Sequence, residues 1–141
     1  MGKLVQVATE TVTSATASVT LTGIDSDDVY MVAINNVQLD TDTKSIHIRF
    51  TVSGTGQSTA NYDYANKVLR SNTTFHNEAS TNQIQAYINS YTGTGTGTGE
   101  TSQAILYLYN FNNSSEYSFV TKEELARDYN GNLRGGQGGG V

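Results

Sequence analysis

The sequence predicts an all-β protein, an antiparallel β-sandwich of jelly-roll type with at most one short helix. Three observations carry this expectation. Apolar residues recur with a period of two through most of the chain, the repeat of a strand with one buried face. Turn clusters (GIDSDD, LDTDTK, SGTGQS, FNNSS, YNGN) separate these runs at the spacing of short strands. No segment sustains a helical period over more than about two turns.

Taken in order, VTSATASVTLTG alternates in strand fashion, with Val19 and Leu21 inward and Gly23 ending it. Val29 to Ile34 is continuously apolar, which suits a central strand covered on both faces. IHIRFTVS places Ile46, Ile48, Phe50 and Val52 on one face and His47, Arg49, Thr51 and Ser53 on the other. IQAYIN alternates Ile84, Ala86 and Ile88 with Gln85, Tyr87 and Asn89. AILYLYNF is apolar on both faces and reads as the strand at the middle of a sheet. EYSFV is one more short strand. TKEELARD holds the helical signal, because Thr121 and Glu124 have capping-box spacing; an extended edge is the alternative there. The expected core is Ile46, Ile48, Phe50, Val52, Leu106 and Leu108.

Length assigns one domain. Residues 1–134 form the β-sandwich, and 135–141 are a glycine-rich C-terminal segment, with five Gly in seven residues and the mobility usual for such ends. There is no cysteine and no proline. Disulfides and Cys-based metal sites are therefore excluded, and no X-Pro isomerisation slows folding.

Composition also bounds function. The net charge is −5, and Lys and Arg are few and scattered. Nucleic-acid binding needs clustered positive charge to displace counterions, so none is expected. No run approaches the ~20 apolar residues of a membrane span, and the opening MGKLVQVATE lacks the pattern of a secretory signal. The sequons at Asn72, Asn112 and Asn113 are accordingly expected to stay unmodified.

The repeat GTGTGTG invites comparison with a phosphate cradle. Gly93 and Gly95 fit a dinucleotide fingerprint, but the sixth position is Thr98, and counting from Gly95 it is Glu100. A strand follows instead of a helix, and no Lys stands at P-loop spacing. The run is therefore expected to be a solvent-exposed hairpin tip, Gly93 to Gly99, between IQAYINSY and AILYLYNF. The aspartates cluster at 25, 27, 28 and at 40, 42 without the glycine and distal Glu of a calcium loop, and they read as turn residues. His47 and His76 belong to no nucleophile-elbow pattern. Nothing pairs Glu78, Glu100 and Glu116 as glycosidase carboxylates. No catalytic residue, metal ligand or cofactor is expected. Tyr87, Tyr107 and Tyr109 fall on solvent faces of strands, where they serve cross-strand packing or contact a glycan or a partner subunit.

The blocks DDVYMVAINNVQLDTD, SIHIRFTVSG, NYDYANKVLRSNTTF, GTGETSQAILYLYNFNNSSEYSFVT and NLRGGQGGGV, in that order, resemble a family of small predicted virion proteins of marine tailed bacteriophages. The resemblance covers residues 4 to 141. It implies a structural role on the virion surface, as a capsid decoration protein or an appendage or fibre head made in the host cytoplasm. The implied partners are copies of itself, a trimer above a dimer, and other virion proteins. A carbohydrate- or receptor-binding module used in host adsorption is the alternative. It implies no catalytic residues. The family continues with further strands after the glycine-rich block, whereas this sequence stops at Val141. A sheet lacking those strands has an edge that a neighbouring subunit can cover.

Overall fold

The computed structural model describes residues 3–72, 75–89 and 93–141. Among the described residues there are ten strands and no helix. They are β1 (Tyr30–Val37), β2 (His47–Ile48), β3 (Thr51–Val52), β4 (Thr55–Gly56), β5 (Tyr62–Arg70), β6 (His76–Gln83), β7 (Ala86–Tyr87), β8 (Ser102–Tyr109), β9 (Phe119–Arg127) and β10 (Leu133–Gly140). Six build one antiparallel sheet in the order β1-β8-β9-β10-β5-β6. The pair β2-β7 forms a smaller second layer over it, and β3-β4 is a separate two-stranded sheet. The expected class, all-β and sandwich-like, holds.

The inner face of the sheet has two unlike halves. Over β1 and β8, the buried Ala104, Leu106 and Leu108 pack with Ile88; Val32, Ile34, Ile46, Ile48 and Phe50 close around them. Phe50 sits edge-on to Phe111 with ring centroids 4.4 Å apart and is stacked 6.0 Å from Tyr62. The expected core residues are thus placed correctly except Val52, which is exposed because the segment breaks into β2 and β3 and turns outward after Phe50. Over β9, β10, β5 and β6 the inner face carries buried ionic groups beside Tyr62, Val68 and Ala126.

Several expectations are corrected. TKEELARD is not helical; it is most of β9. Lys122, Glu124, Ala126 and Asp128 alternate inward and are all buried, while Thr121, Glu123, Leu125 and Arg127 face out. Four inward partners outweigh one capping-box signal, so tertiary context overrides local propensity. The glycine-rich segment 135–141 is not a loose end. Leu133 to Gly140 is strand β10, paired along its whole length with β9 on one side and β5 on the other, and Val141 exchanges backbone hydrogen bonds with Asp63. The apolar Val29–Ile34 run lies in an edge strand, not a central one, with Met31 and Ala33 exposed. VTSATASVTLTG forms no strand within this chain. Strands β5 and β6 carry too many polar inward residues to be read from an apolar period.

The Gly-Thr repeat is not a hairpin tip. β7 pairs with β2, not with β8, so the repeat connects two layers. Ser90 to Thr92 lie outside the described residues. Gly93 to Gly95 are buried, and Thr94 bridges Lys44 on one side and Asp128 on the other. The Thr94 hydroxyl meets Ser102 Oγ at 2.6 Å and accepts from Asn89 Nδ2 at 2.6 Å, all three residues being buried. Asn89 Oδ1 in turn accepts from Ile46 N–H. Only Thr96 to Gly99 are exposed. Thr94→Val removes two hydrogen bonds of this buried triad, leaving only that from Asn89 Nδ2 to Ser102 Oγ at 3.3 Å, and is expected to cost about 1–3 kcal/mol, whereas deleting Thr98–Gly99 changes stability by less than ~1 kcal/mol because loop closure depends weakly on length. Urea unfolding of the two variants checks the contrast.

Candidate functional site

The outer face of the six-stranded sheet is the first feature with functional content. Cross-strand register puts Met31 opposite Tyr107, Ala33 opposite Ile105, and Tyr109 opposite Phe119. Leu125 on β9 and Leu69 on β5 face each other across Gly135 of β10. With no side chain at Gly135, the two leucines flank a shallow groove floored by backbone. Leu133 continues the row opposite Arg127. The large apolar members, with Tyr107, are each 39–55% exposed. Scattered apolar residues on a surface are ordinary; these share one sheet face with Glu123, Gln137 and Lys67, which form a polar row opposite Ile105.

Tyr107 and Tyr109, two of the three tyrosines singled out from the sequence, lie on this face. Tyr87 does not. It belongs to the second layer, with its ring centroid 4.5 Å from that of His47 and 5.6 Å from that of Tyr64. Burial and the nearby Arg49 hold the His47 imidazole below its ordinary value. The other candidates are also dispersed. Glu78 faces inward on β6, Glu100 Oε2 accepts from Gly97 N–H, and Glu116 Oε2 accepts from Asn110 Nδ2. Asp42 Oδ1 accepts from the amide and hydroxyl of Thr96, a loop-pinning role. Among the described residues, no three His, Cys, Asp or Glu are grouped to hold a metal ion, and no helix is long and apolar enough to cross a membrane.

The ionic half of the inner face was not anticipated, although Lys122, Glu124 and Asp128 at even spacing are its trace in the sequence. Lys122 Nζ donates to the carbonyls of Tyr87 and Ile88 at 2.8 and 2.7 Å and so ties the second layer to the sheet. Arg134 is fully buried and lies opposite Ala126, so its neighbours on the diagonal are Glu124 and Asp128, close enough for a long side chain. Asp128 Oδ1 accepts from the amides of Asn130 and Asn132, and its other oxygen lies 3.6 Å from Arg70. Three cations (Lys122, Arg134, Arg70) face three carboxylates (Glu124, Asp128, Glu78), so the region is formally neutral. Burial lowers the Arg134 guanidinium from its ordinary value, and Glu124 and Asp128 oppose that.

Burial likewise lowers the Lys122 ammonium, against the pull of Glu124 and Glu78. Between that depressed value and the ordinary lysine range, the unfolded chain holds a proton that the folded chain has released. Stability withheld by Lys122 near neutrality is therefore regained as pH rises through this window. Denaturant titrations of the wild type and Lys122→Met from neutral to alkaline pH should show the difference moving in favour of the wild type.

The second feature is the arm, residues 3–29. Among the described residues it makes no backbone–backbone hydrogen bond, and nearly every residue is exposed, including Leu4, Val5, Val12, Val19 and Leu21. Its exit from the sheet is anchored: the amides of Asp25 and Ser26 donate to Tyr30 Oη at 3.2 and 3.1 Å, and Asn112 Nδ2 donates to the Asp25 carbonyl at 3.2 Å. Beyond that anchor the arm doubles back, with Val7 packed against Gly23.

Comparison with known proteins finds no matching family model, no matching curated protein and no matching solved structure.

Proposed function

We propose that this chain is a structural component of a tailed-phage virion, exposed on its surface as a capsid decoration protein or an appendage or fibre head. It works as an oligomer, a trimer above a dimer, in contact with other virion proteins, and performs no catalysis. The observation that supports the reading most is the set of exposed apolar side chains on the outer sheet face combined with a long exposed arm. A chain that leaves this much apolar surface and backbone uncovered is suited to burying it against other subunits. The resemblance of its sequence blocks to phage virion proteins supports the same reading. An antibody raised against the chain should decorate the surface of intact particles purified from a lysate of the host that carries the gene; particles devoid of the chain would overturn the assignment. Tyr107 and Tyr109, two residues apart on one outer sheet face, favour carbohydrate binding as a second reading, since such rings stack on sugars. Binding of host-surface polysaccharide that is lost in Tyr107→Ala would select it.

A further inference from the structure

We propose that residues 14–22 of the arm add as a strand to the free edge of β1 in a second copy of this chain; this rests on the assembly reading above and specifies its contact. Three observations meet here. The first is the arm's own pattern. Ala15, Ala17, Val19 and Leu21 share one face, Ser14, Thr16, Ser18 and Thr20 share the other, and Thr11 to Ile24 contains no charge and no proline. That is an amphipathic strand of ordinary length. The second is that, among the described residues, it makes no backbone–backbone hydrogen bond, its Ser18 carbonyl accepting only from the Thr16 hydroxyl at 3.1 Å, and amides and carbonyls of a strand-forming segment find partners when one is offered.

The third is the edge itself. β1 pairs only with β8, leaving its other side open. From Val29 to Leu39 it carries no charge, although charged side chains are the usual protection of an edge. Its inward residues Val32 and Ile34 are only half-buried, and among the described residues no strand pairs beyond them. A strand presenting Ala15, Ala17, Val19 and Leu21 inward would extend the apolar layer at that point and leave its hydroxyls outward. The opposite edge, β6, carries His76 and Glu78 on its inward row and matches this strand poorly.

The segment 23–29 is long enough to fold the arm back onto its own β1, yet the chain does not do so. The bonds from Asp25 and Ser26 to Tyr30 Oη, with Asn112 on the Asp25 carbonyl, spend this segment in a local turn and direct the arm off the sheet. Addition in trans is strand exchange between identical chains, a recognised route to oligomers.

Hydrogen exchange of the full chain, followed by mass spectrometry at low and high protein concentration, tests this. Amides 14–22 should exchange freely when dilute and slow by at least about tenfold when concentrated, together with the outward amides of β1. Val19→Asp combined with Leu21→Asp should remove that protection and leave the melting temperature of the dilute chain unchanged. Absence of protection at any concentration overturns the proposal, and so does protection that is independent of concentration, which would place the arm on its own sheet. If the chain associates while the arm stays unprotected, strand exchange is wrong and assembly through another surface stands. The virion assignment is judged separately by the antibody.

Discussion

Arg134→Ala is expected to destabilise the fold by about 3–5 kcal/mol, the cost of removing one partner from a buried ionic group and leaving its charges unbalanced. The Arg134 side chain is fully buried, and the carboxylates on its diagonals, Glu124 and Asp128, are 6% and 0% exposed. Without the guanidinium, three carboxylates are left against two cations, Lys122 and Arg70, in a site that water reaches poorly. For a domain of this size the loss corresponds to a fall in melting temperature of roughly 10–15 °C. Arg134 also has a second task. β10 reads LRGGQGGG, and a glycine-rich strand has few side chains with which to choose its register. Arg134 is its one large inward side chain, so the ionic contact fixes how β10 slides between β9 and β5. Arg127→Ala, on the exposed face of the neighbouring strand, removes the same charge and should cost no more than ~1 kcal/mol. Thermal and urea unfolding of the pair measure the difference, and equal losses would mean that the buried network is not what holds β10.

Gly138→Val is the second large effect. Gly138 lies on the inner face of β10, opposite Lys122 on β9 and Asn66 on β5, both buried. A Cβ there would run into the Asn66 side chain and the Ala65 carbonyl. The carbonyl belongs to the β5 backbone and cannot retreat without breaking the β10–β5 ladder. Overpacking of cores typically costs about 1–3 kcal/mol and occasionally more; a collision with backbone in a strand flanked on both sides places this substitution at or above the upper end. Gly135 supplies the contrast. Its Cβ would point to the outer face, with the nearest atoms at 3.6 and 4.0 Å. Gly135→Ala should therefore be neutral or gain up to about 1 kcal/mol by restricting the unfolded chain. If both substitutions are tolerated alike, the inner face is looser than these contacts require.

The period-two pattern was enough to predict the fold class and the apolar half of the core, because Ile46, Ile48, Phe50, Leu106 and Leu108 are large apolar residues at alternate positions. It failed wherever the inward face is not apolar. β9 was masked by a capping-box spacing while its inward residues Lys122, Glu124 and Asp128 found ionic partners. β10 looked like a loose end because its inward row is Arg134 followed by glycines, whose lack of side chains makes room for Glu124 and Asn66. The burial of the Gly-Thr repeat is hidden for a related reason: Thr94 is held by hydrogen bonds to Asn89 and Ser102, which no local pattern announces. The arm shows the opposite case, a strand-like sequence without a strand partner in its own chain. Of the three tyrosines, the sheet brought Tyr107 and Tyr109 to one face, and the crossing into the second layer took Tyr87 elsewhere.

Sedimentation equilibrium of the full chain, from micromolar to near-millimolar concentration, tests most directly whether this is an assembling subunit. The account predicts a mass that rises with concentration toward three chains of 15.2 kDa each. A mass of one chain at every concentration would contradict it.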